Sequence, residues 1–260
     1  MSTNNIYSGK DNLSIMDNAK NYNNHLVSKI VQNIETDCQT IIDFGAGNGH
    51  LAEMVNKAVN KKIICVENAD NLAEYYTPLQ KDLTLIKSLE EIADNSIDFI
   101  YSSNVLEHIE NDKEIVSILC NKLKKNGKIF IYVPAFNVLY SDMDKQVGHY
   151  RRYTKHTLRQ LFDTKQLKIT DIRYADFCGY FVTLLYKFIP HKNGAQGADA
   201  AGDALGSGVL DNHDLHGAGL HALAAADALL LVDHVHAGLG ILGDGLMLAG
   251  AHTLAALNAG

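Results

Sequence analysis

The chain has 260 residues, a formal net charge of −7 and 47% hydrophobic residues. At about 150 residues per domain, this length allows one large or two small domains and is sufficient to bury a core. The acidic balance argues against general nucleic-acid binding, which requires a basic surface. The four cysteines form no paired motif, so neither a disulfide framework nor a zinc site is expected. No apolar run is long enough for a membrane span and the N-terminus is polar, so we expect a cytoplasmic protein.

The composition changes abruptly after Lys192. All 23 Lys and Arg residues lie at or before this position, whereas residues 193–260 contain no Lys, Arg, aromatic residue or Pro. Ala, Gly and Leu occupy 44 of these last 68 positions. We therefore expect one domain at 1–192 and an atypical tail at 193–260 that resembles a low-complexity extension or an artificial replacement. The tail can supply one further strand, at 229–235, and its histidines are not expected to form a metal site.

Short apolar strands alternate with helical segments along the first 174 residues. In chain order, the spacing predicts a helix at 15–34, a strand at 40–44, a helix at 50–59, a strand at 62–66, a helix at 72–76, strands at 83–86 and 97–102, a helix at 112–123, a strand at 128–133, a helix at 154–164 and a strand at 167–174. This alternation indicates an α/β fold with a doubly wound, mostly parallel sheet and helices on both faces.

A glycine-rich turn joins the first predicted strand to the next helix. From Asp43 the sequence reads D-F-G-A-G-N-G, with Gly45, Gly47 and Gly49 at alternate positions. Glycines allow the backbone to turn sharply and to approach a ligand without a Cβ clash. A dinucleotide fingerprint, G-x-G-x-x-G, would need glycine at His50, so the spacing differs from that motif. An ordinary tight turn is the alternative interpretation.

The turn resembles the first motif of class I S-adenosylmethionine-dependent methyltransferases. The run D-F-I-Y-S-S-N-V-L-E-H at 98–108 resembles the fourth-strand motif of the small-molecule members, and residues 123–131 resemble the turn before their fifth strand. The resemblance covers residues 22–174, with the motifs in the family's order, and does not extend to residues 193–260. It implies a Rossmann-like methyltransferase sheet, S-adenosylmethionine as cofactor and a small-molecule acceptor, such as a sugar, a glycan or a lipid-linked intermediate.

The same resemblance implies a cofactor site at the carboxyl ends of the strands. Glu67 would accept hydrogen bonds from the ribose hydroxyls, and Asn104 would line the methionine end. Ser88 stands where the family often has Asp, so Ser88 and the N–H of Leu89 would contact the adenine. Tyr22 would close over the methionine end, with a packed core aromatic as the alternative. The implied cofactor-binding residues are Tyr22, Asp43, Gly45, Gly47, Gly49, Glu67, Ser88, Leu89 and Asn104.

The loop after the fifth strand is expected to face the acceptor. It reads G-H-Y-R-R-Y at 148–153 and resembles a segment of methyltransferases that are often encoded with glycosyltransferases. A hydroxyl acceptor benefits from a general base, most often histidine, so we expect His149 to be catalytic. His108, Tyr150, Arg151 and Arg152 are expected to contact the acceptor, the arginines through a carboxylate or phosphate. Structural ion pairs for the arginines, and a helix-capping role for His108, are the alternatives.

The sequence also bears on a metal site and on activities other than methyl transfer. Some quinone-pathway O-methyltransferases have a Glu-x-x-Glu-His metal cluster, but Asn104 replaces the first Glu here, so no metal is expected. Glu107 and His108 keep a metal site as the alternative. A nicotinamide-dependent oxidoreductase is disfavoured by His50 and because Tyr76 and Tyr101 lack a Lys four residues later. A non-catalytic S-adenosylmethionine-binding protein is a second alternative, and the sequence leaves the acceptor and the oligomeric state undetermined.

The apolar stretch at 177–189 is too short to span a membrane. Packing in the core is favoured for it over contact with a lipid-linked acceptor.

Overall fold

The computed structural model describes residue 17 and residues 20–76, 82–162, 167–175 and 227–234. The helices and strands are, in chain order, α1 Lys20–Val31, β1 Ile41–Phe44, α2 His50–Val59, β2 Ile63–Val66, β3 Leu83–Ile86, β4 Ile97–Ser103, α3 Asp112–Lys122, β5 Leu123–Pro134, α4 Asp142–Gln146, α5 Lys155–Leu161, β6 Leu167–Tyr174 and β7 Asp227–His234. Short 3-10 turns lie at Asp70–Tyr76, Leu89–Glu91, Leu106–His108 and Asn137–Leu139.

The described strands form one sheet in the order β3-β2-β1-β4-β5-β7-β6. Strands β1 to β5 pair in parallel, and β7 is antiparallel to both β5 and β6. The chain progresses outward from β1 in one direction and from β4 in the other. The crevice above the carboxyl ends of β1 and β4 is therefore the switch point at which such sheets bind ligands. This order confirms the predicted doubly wound, mostly parallel sheet.

Strand β7 comes from the atypical tail and overlaps the segment in which the sequence predicts a strand. Leu230 pairs with Ile131 of β5 on one side and with Ile172 of β6 on the other. Without β7, the facing edges of β5 and β6 would lack backbone partners. The tail histidines other than His234, and the apolar stretch at 177–189, lie outside the described residues.

Two hydrophobic clusters cover the sheet. Ile42, Ile100 and Ile131 belong to one cluster, whereas Ile41 and Phe99 belong to the other. Neighbouring residues of a strand point to opposite faces, so β1 and β4 are buried on both sides. This double burial explains why the central strands appear in the sequence as continuous apolar runs.

The structure differs from the predicted elements mainly at turns. Strand β5 begins at Leu123, five residues earlier than predicted, and the Asn126–Gly127 pair lies inside it, with Asn126 in the left-handed region at φ 68°. A register shift between Ile97 and Phe99 accommodates this irregularity in the pairing with β4. Helix α4 was not predicted, because five residues are too few to show a helical apolar period.

Candidate functional site

The turn between β1 and α2 is a run of left-handed backbone conformations. Gly45, Gly47 and Gly49 have φ angles of 75°, 57° and 80°. A Cβ atom on Gly45 would also overlap the side chain of Val105, which follows β4. Gly45 is therefore required by the packing of the β1 turn against the β4 turn, while the other two glycines are favoured by their backbone angles.

Glu67 holds this glycine turn from the end of β2. One carboxylate oxygen, Oε2, accepts a hydrogen bond from Gly47 N at 2.9 Å, and Oε1 accepts one from Ala69 N at 2.9 Å. An ionised carboxylate can accept about four hydrogen bonds, so these contacts leave capacity for further donors. The position and remaining capacity of Glu67 fit the predicted contact with a ribose diol.

Two buried oxygens at the crevice have no donor in the described part of the chain. Asp43 is 2% exposed and its Oδ2 accepts no hydrogen bond. The Oδ1 of Asn104 is likewise unsatisfied, because the amide nitrogen is the group that donates to the Tyr22 hydroxyl, at 3.1 Å. A buried acceptor without a donor is costly. The ammonium group of the methionine moiety of S-adenosylmethionine is a donor of the required kind, so these residues fit the implied cofactor.

The protonation of Asp43 supports that fit. Burial raises the pKa of its carboxyl to about 8, the charge of Glu67 adds to the rise, and a hydrogen bond with Tyr101 opposes it. A cation that enters the crevice would favour the ionised form again. Asp43 is thus suited to a positively charged ligand.

The remaining predicted cofactor residues have local contacts. Ser88 Oγ accepts a hydrogen bond from Glu90 N at 3.1 Å and caps the 3-10 turn that follows β3. Leu89 is buried in the core beside this cap. Tyr22 packs edge-on against Tyr132, with 6.1 Å between the ring centroids. Contacts of these residues with adenine or methionine stay predictions.

On the other side of the crevice, the loop after β5 is fastened to the turn after β4. The backbone N–H of Tyr150 donates to Glu107 O at 2.8 Å, and the Tyr140 hydroxyl donates to His149 O at 2.6 Å. The imidazole rings of His149 and His108 meet edge-on at 4.6 Å. The Tyr150–Glu107 bond links the two segments, and the ring contact brings together the two predicted acceptor-side histidines, which are 41 residues apart in the sequence.

The histidine pair lies beside a fully buried carboxylate. Glu107 is 0% exposed, and its Oε1 is 3.9 Å from His149 Nε2. Burial, together with the neighbouring His149, lowers the pKa of His108 to about 4, so His108 is neutral at physiological pH. Glu107, His108 and His149 each offer one ligand atom within 4.8 Å of the others, and in the described part of the chain this group could hold a metal ion.

Asp144 is the residue of this site that the sequence reasoning missed. Its Oδ1 accepts hydrogen bonds from His149 Nδ1 and Arg152 Nε, both at 2.8 Å. Its Oδ2 accepts from Ser141 N at 2.8 Å and from Ser141 Oγ at 3.2 Å. Burial opposes ionisation, but the bonds from His149, Arg152 and Ser141 outweigh it and lower the pKa of Asp144 to about 2. The only signal in the sequence was an Asp five residues before the candidate base.

Both predicted acceptor-binding arginines are engaged by aspartates of the protein. Arg152 is 4% exposed and bonded to Asp144. Arg151 forms an ion pair with Asp112 at 2.7 Å and donates to Glu110 O at 2.7 Å. This arrangement favours the alternative of structural ion pairs, while a direct contact with an acceptor stays a prediction. Tyr150 is 53% exposed and borders the same loop.

No helix in the described ranges combines the length and the apolar character needed to cross a membrane.

Known proteins resemble this chain in sequence. The family model described as a methyltransferase domain matches residues 17–172. A ubiquinone biosynthesis O-methyltransferase, mitochondrial, of Dictyostelium discoideum is 24% identical over 189 residues, which is 61% of this chain and 59% of that protein. The chain therefore spans less than two thirds of the length of this curated relative.

Solved structures share the fold at low sequence identity. A chain of the complex between the Haloferax volcanii Trm112 methyltransferase activator and a proposed methyltransferase superposes with a TM-score of 0.61 at 11% identity, covering 91% of this chain and 100% of that one. Geranyl diphosphate methyltransferase in complex with S-adenosylmethionine superposes with a TM-score of 0.55 at 9% identity, covering 81% of this chain and 85% of that one. At these identities the likeness shows a common fold.

Proposed function

Because the chain belongs to the methyltransferase-domain family, with S-adenosylmethionine as cofactor, we propose that it methylates a hydroxyl group of a small-molecule acceptor and that His149 is the general base. Family membership supports methyl transfer in general. The acceptor class and the roles of individual residues are the proposal.

One observation carries the choice of a hydroxyl acceptor. His149 Nδ1 is bonded to the buried, ionised Asp144, and the opposite ring nitrogen, Nε2, faces the Glu107 side of the site. A sugar or phenol hydroxyl is a poor nucleophile until a base removes its proton, and a neutral imidazole is the usual base. The relative from Dictyostelium, named an O-methyltransferase, supports the same class.

The reaction follows from positioning and one proton transfer. When bound, the cofactor supplies an electrophilic methyl group on a sulfonium. Glu67, Asp43 and Asn104 would hold it at the carboxyl ends of β1, β2 and β4. His149 Nε2 would accept the hydroxyl proton as the oxygen attacks, and most of the rate enhancement would come from in-line alignment. The imidazolium that forms would be stabilised by the ionised carboxylate of Asp144.

A methyl-transfer assay with radiolabelled cofactor tests this proposal. The acceptor panel should include phenols, sugars and lipid-linked sugars, with primary amines as the comparison. His149→Ala should lower turnover by about 10²–10⁴-fold, the usual contribution of a general base, and should leave the affinity for S-adenosylhomocysteine unchanged. His156→Ala removes an exposed histidine of α5 and is the matched control.

Two outcomes would contradict the proposal. Transfer to amines alone would exclude the hydroxyl class, and near-normal turnover of His149→Ala on a hydroxyl acceptor would assign this histidine to structure. A separate measurement tests the cofactor: S-adenosylhomocysteine should raise the melting temperature by linkage, whereas NAD should not.

A further inference from the structure

We infer that Asp144 is a positioning residue for His149, with Arg152 as its anchor: the buried carboxylate fixes the imidazole tautomer in which Nδ1 carries the proton and Nε2 is a free acceptor. The kinetic consequence of this inference rests on the proposed function, whereas the tautomer itself is a property of the folded chain. The inference also gives Arg152 a role within the protein, which is to hold the carboxylate of Asp144.

The tautomer follows from hydrogen-bond chemistry. Asp144 Oδ1 lies 2.8 Å from His149 Nδ1. An ionised carboxylate is an acceptor only, so the proton of this bond belongs to the histidine. In a neutral imidazole only one ring nitrogen carries hydrogen, and Nε2 is therefore left with its lone pair. That lone pair is what a general base requires.

The carboxylate is held ionised by its own surroundings. Asp144 is 1% exposed and both its oxygens accept hydrogen bonds. Arg152 Nε donates to the same oxygen as the histidine, at 2.8 Å, and a guanidinium keeps its charge at any physiological pH. These donors explain the pKa of about 2 for Asp144. The charge that fixes the tautomer is thus constant across the working range of a histidine base.

The backbone also limits rotation of the imidazole. His149 N donates to Asp144 O at 2.8 Å, so the two residues are joined through both main chain and side chain. The Tyr140 hydroxyl fixes the carbonyl of His149 from the other side. The groups that face the ring are Asp144, Glu107 and the neutral His108.

Nitrogen NMR of the protein with labelled histidine tests the inference directly and needs no acceptor. The signals of His149 are identified by their loss in His149→Ala. The wild-type protein, measured at a pH high enough for the ring to be neutral, is expected to show a protonated Nδ1 and an unprotonated Nε2. In Asp144→Asn the ring should shift toward the Nε2-protonated tautomer, because the ionised acceptor is gone. A wild-type ring protonated on Nε2, or a tautomer that Asp144→Asn leaves unchanged, would overturn the inference.

Kinetics provide the second readout. Asp144→Asn is expected to lower kcat by about 10²–10⁴-fold, the range seen when the orienting carboxylate of a base is lost, with KM and S-adenosylhomocysteine affinity within a few-fold. The matched control is Asp142→Asn, since Asp142 has 88% side-chain exposure in the same short helix and should leave kcat unchanged. Equal kcat in both variants, with the wild-type tautomer as stated, would remove the positioning role.

If Asp144→Asn fails to fold, a second variant tests the inference. Arg152→Lys keeps the positive charge and loses the guanidinium fork, so it is expected to fold, with a lower kcat and a pH profile displaced from that of the wild type. An unchanged pH profile would count against the anchor. Failure of the proposed function would appear as absence of methyl transfer to any hydroxyl, while the tautomer measurement would still give its own result.

Discussion

Two buried aspartates, one on each side of the crevice, differ in what surrounds them. Asp43 and Asp144 are 2% and 1% exposed, yet the pKa of Asp43 is raised to about 8 and that of Asp144 is lowered to about 2. Asp144 accepts four hydrogen bonds from its own loop, whereas one oxygen of Asp43 accepts none. At Asp144 the hydrogen bonds and the charge of Arg152 outweigh burial, whereas at Asp43 burial dominates, so the two pKa shifts have opposite signs.

This difference separates two kinds of site. The proposed cofactor side presents unsatisfied acceptors, on Asp43 and Asn104, that a cationic ligand would complete. The proposed acceptor side satisfies its carboxylate internally and so fixes the orientation of one catalytic candidate, His149. Substitutions at Asp43 or Asn104 should therefore change ligand binding, whereas substitutions at Asp144 or His149 should change turnover, and those at Asp144 should also change stability.

Removing the tail after Lys192 should have the largest effect, because it deletes β7. Strand β5, which leads into the acceptor-side loop, then loses its neighbour, as does β6. We expect an insoluble or molten chain, detected by loss of the near-ultraviolet circular dichroism and by dye binding. Deletion of residues 235–260 keeps β7 and is the control. A chain ending at residue 192 with the full-length melting temperature would show that β7 is dispensable.

Gly47→Val should abolish binding of S-adenosylhomocysteine and leave the loop around His149 unchanged. A Cβ at this position is expected to intrude where the backbone meets the ligand, and a β-branched residue is strained at φ 57°. Gly47→Asn separates these causes, since Asn tolerates the left-handed region. Calorimetry with S-adenosylhomocysteine should show no binding by either variant, with Gly47→Asn folded. Unchanged affinity would remove the glycine turn from the site.

Replacing each aspartate by asparagine should give opposite pH dependences of stability. Exposed Asp has a pKa of about 3.9. Because the pKa of Asp144 is lowered to about 2, its carboxylate stabilises the fold above pH 4, and this contribution is lost as the pH falls toward 2. Because the pKa of Asp43 is raised to about 8, the fold loses stability as the pH rises from 4 through 8.

Urea unfolding without cofactor, between pH 3 and pH 8, measures both effects. Asp144→Asn should destabilise by about 3–5 kcal/mol at pH 7, since it removes the ionised partner of the buried Arg152, and the loss should shrink toward pH 3. Asp43→Asn should become more stabilising relative to wild type as the pH rises from 4 to 8. Parallel pH profiles for the two variants would refute the comparison.

Glu67→Ala should have the smallest effect, about 1–3 kcal/mol of cofactor affinity, which is typical for losing charge-assisted hydrogen bonds. Glu67→Gln retains one oxygen acceptor and tests the contribution of charge. Glu90→Ala, at an exposed acid after β3, is the control. If neither Glu67 variant changes the S-adenosylhomocysteine affinity, Glu67 serves only to hold Gly47.

Local rules determined most of the fold and the cofactor side. The apolar runs at β1 and β4 predicted central strands because both faces of each are buried, and the glycine turn was visible because its left-handed angles favour glycine. The helix predicted from residue 154 begins with a cap at Thr154, whose hydroxyl accepts a hydrogen bond from Thr157 N at 3.1 Å. These features depend on residues close together in the chain.

The tertiary structure decided the acceptor side. The sequence singled out His149 and His108 separately, but only the docking of the β5 loop on the β4 turn brings their rings to 4.6 Å. Asp144 of helix α4 bonds both His149 and Arg152 through one carboxylate oxygen, and no periodicity marks an ion pair between a short helix and the loop that follows it. Hydrophobic patterning records which face of an element is buried, whereas the partner of a buried charge is set by how the chain folds back on itself, which the pattern does not encode.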